Sequence, residues 1–581
     1  MAPERRLIRR RVVPAHRLPA TLAPVLQRVY AARGLLEAGD IGLEIARMLP
    51  PDQLLGLPRA VQILADAIAA GRKIVVAGDY DADGATGVAL AVLGLRALGA
   101  TAVDYVVPHR VTMGYGLSPA LAQTAHAMQA QVLVTVDNGI ASVAGVAAAR
   151  ALGMQVVVTD HHLPGPVLPD ADALVNPNQP GCGFASKSLA GVGVMFYVLV
   201  ALRAHLRERG AFVSRPAPRL AYWLDLVALG TVADVARLDR NNRILVSQGV
   251  ARLRGGRARP GLLAMLGGAG RAFESISAVD LGFVLGPRIN AAGRLADARI
   301  GIECLLADEP ARAAELAATL EQINRERREI QQGMTDTAMA IAERQQPEDR
   351  HGVCVFDEDW HEGVVGPVAA RIKERLHRPT IAFAPSQDRQ LLKGSARSVQ
   401  GINIRDAIAA VDAAHPGLIE RFGGHAMAAG LTLHKRGYAL FREAFSQACA
   451  ALMHPLEREA WLDSDGPLQL AELHIDTARC LELGGPWGAG FGEPRFDNRF
   501  DVLDARIVGG DGTHAKYRLR LAGEGGAEIS AIHFGGADRL CRRGQLHALY
   551  ALGINRYRDR ESIDLRIDHL EPVAAPAASF A

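Results

Sequence analysis

Short apolar runs alternate with helix-like segments over the first third of the chain. The apolar runs predict strands at residues 73–77, 102–107, 131–136 and 155–159. The intervening spacing predicts helices at 57–70, 85–98, 119–128 and 141–152. Near-continuous apolar strands that alternate with helices are typical of a parallel sheet covered on both faces. The pattern therefore predicts a doubly wound α/β domain, whose functional sites gather beyond the carboxyl ends of the strands.

The pattern changes after residue 309. A long, highly charged helix is predicted from Pro310 to about Arg344, ending before Pro347, and it is a candidate bridge between two domains. A second α/β unit follows, with strands at 353–356 and 380–384 and a helix at 364–376. Five short β segments then fit a small barrel of the OB type, at 500–507, 516–521, 528–534, 545–555 and 562–570.

A chain of 581 residues is expected to hold several domains. The predicted units are an N-terminal appendage on the first domain (1–50), the doubly wound domain (51–309), the connecting helix (310–346), the second α/β domain (347–456) and the barrel (457–575).

Composition narrows the class of protein only a little. The chain is 49% hydrophobic and 22% charged, with a formal net charge of +3, which neither indicates nor excludes nucleic acid. Its six cysteines form no C-x-x-C pair, which disfavours a structural zinc site or a disulfide framework and predicts a cytoplasmic protein. No apolar run is long enough to span a membrane, and the arginine-rich N-terminus has no secretory apolar region.

Three carboxylates follow the first predicted strand at alternate positions, Asp79, Asp81 and Asp83, and Gly84 comes next. Alternate residues of an extended segment point the same way, and clustered carboxylates repel unless a cation joins them. A hard divalent metal is the expected occupant. An EF-hand loop is disfavoured because its twelfth position is Leu90 and a strand precedes it. For one such motif alone, an ordinary acidic turn remains the alternative.

Three further apolar runs also lead into acidic or imidazole side chains. Asp137 follows the third strand, Asp160-His161-His162 follows the fourth, and a run at 226–229 leads into Asp234. Four such segments in phase with the strands predict one shared rim. The candidate metal ligands are Asp79, Asp81, Asp83, Asp137, Asp160, His161, His162 and Asp234.

This carboxylate-rich set without thiolates favours Mn²⁺ or Mg²⁺ over zinc. It holds too many carboxylates for one ion, whereas two ions about 3.5–4 Å apart form a clamp for phosphoryl transfer to water. Asp137 is the expected bridge between two ions. His161 is a further ligand, and His162 is left to contact the scissile phosphate or the leaving group.

The motifs together resemble the DHH phosphoesterase superfamily, and Gly423-Gly424-His425 resembles its accessory DHHA1 domain. The domain order is similar to that of single-strand-specific 5′-to-3′ DNA exonucleases in this superfamily. The resemblance implies Asp81, Asp83, Asp137, His161 and Asp234 as ligands of two ions, with Asp79 and Asp160 in or behind that set. It also implies single-stranded DNA as substrate, 5′-mononucleotide products, and roles in repair and recombination beside a helicase and a single-strand-binding protein.

Basic residues outside the acidic motifs are candidates for gripping DNA. A glycine-flanked loop at 286–294 resembles a further family motif, although an ordinary solvated arginine loop fits equally well. Arginine is the natural partner of a terminal phosphate. A 5′-phosphate pocket is therefore expected across an interdomain cleft, with Ser395 and Arg397 in a predicted Gly-Ser-Ala-Arg loop. His425 is either a phosphate contact or a structural histidine. The substrate-binding candidates are Arg110, Arg288, Asn290, Arg294, Ser395, Arg397 and His425.

Two other functions fit parts of the sequence. Small-substrate hydrolases of the same superfamily share the motifs, but they need no barrel. A non-catalytic single-strand-binding scaffold is the alternative outside enzymes, and the intact set of acidic motifs disfavours it.

Overall fold

The computed structural model describes residues 7–110, 113–345, 350–452, 461–510, 512–523, 525–557 and 560–573. Within these residues the strands form two five-stranded sheets, a closed five-stranded barrel and one two-stranded sheet. The predicted helix stop at Pro347 and the predicted boundaries at 346/347, 456/457 and 575 lie outside the described residues. No described helix is both long and apolar enough to cross a membrane.

The described part of the N-terminal segment contains one strand and two short α-helices. They are β1 (Leu7–Arg10), α1 (Pro24–Ala31) and α2 (Ala38–Ile41).

A parallel sheet forms the centre of the first domain, as the alternating pattern predicts. Its strands are β2 (Ile74–Ala77), β3 (Val103–Val106), β4 (Val132–Val136), β5 (Gln155–Thr159) and β6 (Ala173–Val175). The helices around it are α3 (Leu57–Ala69), α4 (Ala82–Leu98), α5 (Pro119–Ala127), α6 (Val143–Ala151) and α7 (Gly191–Glu208). The strand order is β3-β2-β4-β5-β6. Apolar side chains of α3, α4 and α7 pack on one face of the sheet and those of α5 and α6 on the other, which confirms the doubly wound prediction.

The second half of this domain is helical. Its elements are α8 (Leu224–Ala233), α9 (Arg240–Arg254), α10 (Pro260–Gly268), α11 (Ala278–Asp280), α12 (Gly286–Leu295) and α13 (Arg299–Leu306). A π-helical turn, Leu281–Leu285, joins α11 to α12. The run at 226–229 belongs to a largely buried helix, whereas the runs before Asp79, Asp137 and Asp160 are strands. One sequence prediction is wrong here. The predicted loop at 286–294 is helix α12.

A single helix, α14 (Pro310–Arg344), leads into the second α/β domain, as predicted. The elements that follow are β7 (Val353–Phe356), α15 (Val365–Leu376), β8 (Thr380–Pro385), β9 (Leu391–Arg397), α16 (Ile404–Ala414), β10 (Ile419–His425), β11 (Ala428–His434) and α17 (Tyr438–Leu452). The sheet order is β10-β11-β9-β8-β7, and only β7 and β8 are parallel. The residues around Ser395, expected in a loop, therefore lie on strand β9.

The C-terminal strands close into a barrel, which confirms the prediction. The elements are β12 (Trp461–Ser464), α18 (Ile475–Leu483), β13 (Phe496–Val508), β14 (His514–Leu521), β15 (Ile529–His533), β16 (Gln545–Tyr557) and β17 (Arg560–Val573). The barrel order is β13-β14-β15-β17-β16.

The N-terminal segment is attached differently from the prediction. Strand β1 pairs in parallel with β12, next to the barrel. Arg33 forms a buried ion pair with Asp465 at 2.7 Å, and the Tyr30 hydroxyl donates to the carbonyl of Gly484 at 2.7 Å. The first part of the appendage therefore belongs with the C-terminal domain, and its later part, from Leu35 to Leu49, contacts the first domain.

Candidate active site

The carboxylate motif lies where β2 turns into α4. Asp81 is the N-cap of α4, because its Oδ1 accepts a hydrogen bond from the backbone N–H of Gly84 at 3.0 Å. Asp83 is therefore in the first helical turn, not on an extended segment as the alternation predicted. A Cβ at position 84 would lie 2.7 Å from the backbone nitrogen of Asp79, so only glycine fits there. The three carboxylates still lie close together, but the turn at the helix N-cap brings them there and not the alternation of an extended strand.

Asp83 is held by the start of α7. Its two oxygens accept hydrogen bonds from the backbone N–H groups of Gly191 at 2.7 Å and Val192 at 2.9 Å. Gly191 also touches Asp137, since a Cβ at 191 would lie 2.5 Å from the Cβ of Asp137. One helix N-terminus thus fixes the distance between two carboxylates that come from different strand ends.

His161 lies between three carboxylates. Its Nε2 is 3.1 Å from Asp137 Oδ1, 3.8 Å from Asp234 Oδ2 and 3.9 Å from Asp83 Oδ2. Asp234 is the C-cap of α8, so a helix delivers this side chain to the rim that the strand ends form. Asp137 has a φ of +64°, a left-handed conformation that a non-glycine residue adopts at some energetic expense. The structure thus brings together the four segments that the sequence pattern singles out.

The buried carboxyl groups have raised pKa values. Burial, followed by the charge of Asp81, raises the pKa of Asp83 to about 7. Burial and the charges of Asp83 and Asp81 raise the pKa of Asp234 to about 8. The pKa values of Asp79 and Asp137 lie well above their ordinary values, again through burial first and neighbouring carboxylates second. These four carboxyl groups therefore cannot all ionise together at pH 7 without a compensating positive charge.

Unpartnered atoms support a metal as the source of that charge. Among the described residues, Asp79 Oδ1, Asp137 Oδ1 and His161 Nε2 are buried without a hydrogen-bond partner. Burial, followed by the charge of His162, lowers the pKa of His161 to about 4, so its ring is neutral at pH 7. A neutral imidazole nitrogen facing carboxylate oxygens is a ligand set for a divalent ion. The residues present therefore fit metal binding.

Within the described parts of the chain, three sets of ligand atoms each lie within 4.8 Å of one another. The sets are Asp83, His161 and Asp234; Asp79, Asp81 and Asp137; and Asp137, His161 and His162. Asp137 and His161 each belong to two of the sets, so the three sets join into one continuous cluster of ligand atoms.

Asp160 is not part of any of these sets. Its Oδ2 accepts from the backbone N–H of Ile140 at 2.8 Å, and its Oδ1 lies 2.8 Å from Nδ1 of His162. Burial by itself lowers the pKa of His162. The hydrogen bond to Asp160 and the charge of that carboxylate outweigh burial and raise the pKa of His162 to about 9. The Tyr115 hydroxyl lies 3.1 Å from the same Nδ1 and donates to the carbonyl of Asp137 at 2.9 Å. Asp160 therefore holds His162 protonated and in place, and Tyr115 ties it to the acidic cluster.

A cationic cleft of about 400 Å³ opens beside this cluster, between the two α/β domains. Its walls include Tyr80, Arg110 and Tyr115 on one side and Ser395 on the other. The Arg110 guanidinium lies over the Tyr80 ring, 4.7 Å from its centroid. Arg397 donates to the Ser395 hydroxyl at 2.9 Å. The structure thus brings these expected phosphate contacts together.

The arginines of the cleft act on one another. Burial, then the charges of Arg110 and Arg397, lower the pKa of Arg294 to about 9. Burial and the charge of Arg110 lower the pKa of Arg397, and burial and the charges of Arg397 and His162 lower that of His425. These cations repel one another and lie beside the acidic cluster. An anion that contacts the arginines and metal ions in the cluster would relieve this repulsion.

Two sequence candidates have other roles. Arg288 donates to the carbonyl of Val284 at 2.6 Å and pairs with Glu321 of α14, so the structure does not bring it to the cleft. Asn290 Oδ1 accepts from the backbone N–H of Ala82 at 2.8 Å and so supports the start of α4. Sequence reasoning missed Gly191, because a glycine that opens an apolar run gives no chemical signal.

Comparison with known proteins agrees with this architecture. Models of the DHH family N-terminal domain, the DHHA1 domain and the RecJ OB domain match residues 73–231, 350–451 and 464–569. The single-stranded-DNA-specific exonuclease RecJ of Escherichia coli (strain K12) is 48% identical over 98% of this chain and 99% of its own length. That of Salmonella typhimurium is 47% identical over 99% of this chain and 100% of its own length. The chain belongs to the RecJ family.

A solved RecJ structure has the same fold. The RecJ of Thermus thermophilus in complex with Mn²⁺ covers 95% of this chain and 76% of its own, with a TM-score of 0.79 and 29% identity. A Mg²⁺ complex of the same RecJ has a TM-score of 0.72, covers 95% of this chain and 75% of its own, and is 28% identical. These metals are the ones that the ligand set favours.

Proposed function

We propose that this chain is an exonuclease that degrades single-stranded DNA from its 5′ end to 5′-mononucleotides, with two Mn²⁺ or Mg²⁺ ions as cofactor. The observation that carries the proposal is the buried cluster of Asp83, Asp137, His161 and Asp234 beside a cleft lined by Arg110. The acidic cluster suits metal ions that act on a phosphodiester, and the adjacent group of arginines suits a second phosphate close to it.

The proposed metal ligands are Asp79, Asp81, Asp83, Asp137, His161 and Asp234. When bound, the ions supply Lewis-acid stabilisation of the charge that develops on the phosphate and lower the pKa of the attacking water. The helix N-terminus at Gly191 fixes the spacing of Asp83 and Asp137 throughout. Asp160 contributes by orienting the residues that follow it, which is consistent with its saturated oxygens.

His162 holds a proton close to the scissile phosphate. Its Nδ1 is bonded to Asp160, so Nε2 is left to donate to a phosphate oxygen or to the leaving group. In the reaction, a water oxygen bonds to the phosphorus between the first two nucleotides. The bond from that phosphorus to the 3′ oxygen of the first nucleotide breaks. The products are a 5′-mononucleotide and a strand with a new 5′-phosphate.

We propose that Arg110, Ser395 and Arg397 bind the terminal 5′-phosphate, with Arg294 behind them. A terminal phosphate carries more charge than an internal one, so a cationic pocket at this distance from the metals selects strand ends. His425 lies close enough to Arg397 and His162 to contact the same nucleotide. The barrel at 496–573 supplies a further surface for the strand, which makes affinity dependent on salt.

The test uses single-stranded DNA labelled at either end, incubated with purified protein and Mn²⁺. Stepwise release of mononucleotides from the 5′ end supports the proposal. Binding without cleavage would favour a scaffold, and neither binding nor cleavage would favour a small-substrate hydrolase. Arg397→Ala should slow degradation of 5′-phosphorylated strands more than that of 5′-hydroxyl strands, and equal losses would exclude the pocket.

We further propose a cytoplasmic role in DNA repair and recombination. A helicase would supply the single strand, and a single-strand-binding protein would keep it open. Co-purification of either protein with this chain, resistant to nuclease treatment, is the measurement that checks these partners.

A further inference from the structure

The cleft extends beyond the proposed 5′-phosphate pocket. Three rows of residues on strands β9, β11 and β10, set by the strand register, share one face of the sheet, and the second and third rows line the cleft. The rows are Arg397, Ala428 and His425; Ser395, Gly430 and Gly423; and Lys393, Thr432 and Arg421. Alternate residues of a strand share a face, so each row lies about 7 Å from the next. The intervening residues, such as Leu392 and Leu431, pack into the core on the other face.

The first row contains Arg397 and the second contains Ser395, whose hydroxyl accepts from Arg397. These two rows hold the proposed 5′-phosphate pocket. The third row follows Ser395 along β9, two rows away from Arg397.

The third row is polar and cationic. Lys393, Arg421 and Thr432 line the cleft together with Glu362 from the loop before α15. Lys393 Nζ pairs with Glu362 Oε2 at 2.7 Å, and Arg421 Nε donates to the Thr432 hydroxyl at 3.3 Å. The pair leaves one net positive charge in this row. Glycines at 423 and 430 leave the floor beside it open.

The size of the cleft exceeds what one phosphate requires. Its volume of about 400 Å³ lies within the range of small-molecule sites, roughly 300–1,000 Å³. A 5′-monophosphate held by Ser395 and Arg397 leaves the third row unused. The two cations and the hydroxyl of the third row suit phosphate oxygens.

We propose that Lys393 and Arg421 bind the outer phosphates of a 5′-triphosphate, so that the enzyme accepts strands with triphosphorylated 5′ ends. The inference rests on the proposed function, since the innermost phosphate occupies the pocket of Ser395 and Arg397. Strands of this kind are the products of polymerisation that starts without a primer. The class of reaction that supplies the substrate is therefore template-directed synthesis from a first nucleoside triphosphate.

The first turnover on such a strand has a distinctive product. Water adds to the phosphorus between the first and second nucleotides, and the bond to the first 3′ oxygen breaks. The anhydride bonds of the 5′ end remain intact, so the first nucleotide leaves as a nucleoside 5′-triphosphate. The shortened strand has a 5′-monophosphate, and every later turnover releases a mononucleotide.

Glu362 competes with the substrate for Lys393. An incoming phosphate must replace this carboxylate, so the ion pair weakens binding of the third phosphate. Glu362→Gln removes the competing charge and should strengthen binding of triphosphorylated ends, whereas Lys393→Met and Arg421→Met should weaken it. A gain of affinity in the Glu362 variant and a loss in the Lys393 and Arg421 variants would indicate direct contacts with the phosphates, because a general loss of structure would weaken binding in all three.

The experiment compares one DNA sequence with a 5′-hydroxyl, a 5′-monophosphate or a 5′-triphosphate end. Fluorescence anisotropy in EDTA measures binding without cleavage. Chromatography after adding Mn²⁺ identifies the first product of a strand labelled in the γ-phosphate. Arg405→Met is the matched control, since Arg405 is an exposed arginine on α16, which packs against the opposite face of the sheet.

We expect the γ label to appear as nucleoside triphosphate. The Lys393→Met/Arg421→Met double variant should lose about tenfold of its affinity for triphosphate relative to monophosphate ends, as expected for lost charge-assisted contacts. Arg405→Met should keep the ratio of the parent protein. Label released as inorganic phosphate or pyrophosphate, resistance of the triphosphorylated strand, or an unchanged ratio in the double variant would overturn the inference.

The monophosphorylated strand distinguishes the two proposals. If it is degraded from the 5′ end while the triphosphorylated strand is not, the third-row subsite is wrong and the exonuclease stands. If neither strand is degraded or bound, the proposed function itself fails.

Discussion

Substitution of Gly191 by alanine tests whether the spacing of two carboxylates governs catalysis. The new methyl carbon would lie 2.5 Å from Asp137 Cβ and 2.6 Å from Asp137 Cα. Carbon atoms in contact are about 3.5–4.0 Å apart, so one of the two segments must move by about 1 Å. Gly191 also donates to Asp83, so neither partner can yield without changing the metal site.

The expected loss follows from that displacement. Misplacing catalytic groups by about 1 Å lowers the rate by about 100-fold. Overpacking of this kind costs about 1–3 kcal/mol, a loss that leaves a domain of this size folded. We expect Gly191→Ala to release mononucleotides about 100-fold more slowly, and to require more Mn²⁺, while its circular dichroism spectrum matches that of the parent.

Gly193→Ala is the matched control on the same helix. A methyl group there would meet only the end of the Leu189 side chain, at 3.2 Å, and this side chain can rotate away. We expect near-parental activity and slightly higher stability, since alanine favours helix. A Gly191→Ala enzyme with the parental rate and Mn²⁺ dependence would refute the argument that this close approach sets the site.

The remaining predictions concern metal binding and the C-terminal domain. Adding Mn²⁺ to the metal-free protein at about 100 times its Kd should stabilise the fold by about 2.7 kcal/mol, which is measured as a rise in Tm. The Asp137→Ala variant should show no such rise. An equal rise in Tm in the parent protein and the variant would place the metal elsewhere. Arg33→Met should lower the free energy of unfolding by about 3–5 kcal/mol in urea titrations, because the substitution leaves the Asp465 carboxylate buried without its partner. A loss below about 1 kcal/mol would contradict the importance of this ion pair. Burial opposes ionisation of Asp497, but hydrogen bonds from His547, Arg10 and Ser464 lower its pKa to about 2. Because the folded pKa is below the unfolded one, this stabilisation is present above about pH 4 and lost as pH falls through about 2. Asp497→Asn should therefore destabilise the barrel by about 2 kcal/mol at pH 7 but little near pH 2, and a difference independent of pH would contradict the assignment.

Local periodicity was enough to predict the parallel sheet, the long helix and the barrel, because each buries a recognisable pattern of side chains. The sequence left the element before Asp234 open, because burial on every side removes the difference between the apolar patterns of a helix and a strand. The carboxylate motif was placed correctly on the rim, although its side chains converge through an N-cap.

Contacts between distant segments were beyond the reach of the sequence. Nothing near Arg288 indicates that Glu321 will neutralise it, or that Asn290 will support the start of α4. Likewise, the close approach of Gly191 to Asp137 depends on how α7 packs on the sheet. Tertiary packing determines such pairings, so the local sequence pattern does not predict them.

The pairing of β1 with β12 has a consequence for synthesis of the chain. Arg9 and its partner Asp463 are 454 residues apart, and a ribosome adds about 5–20 residues per second. Strand β1 must therefore wait about 20–90 s for its neighbour. During that time its edge is open to other chains, and its two exposed arginines, Arg9 and Arg10, discourage such pairing. In the nascent chain, β1 thus stays unpaired until β12 has been made.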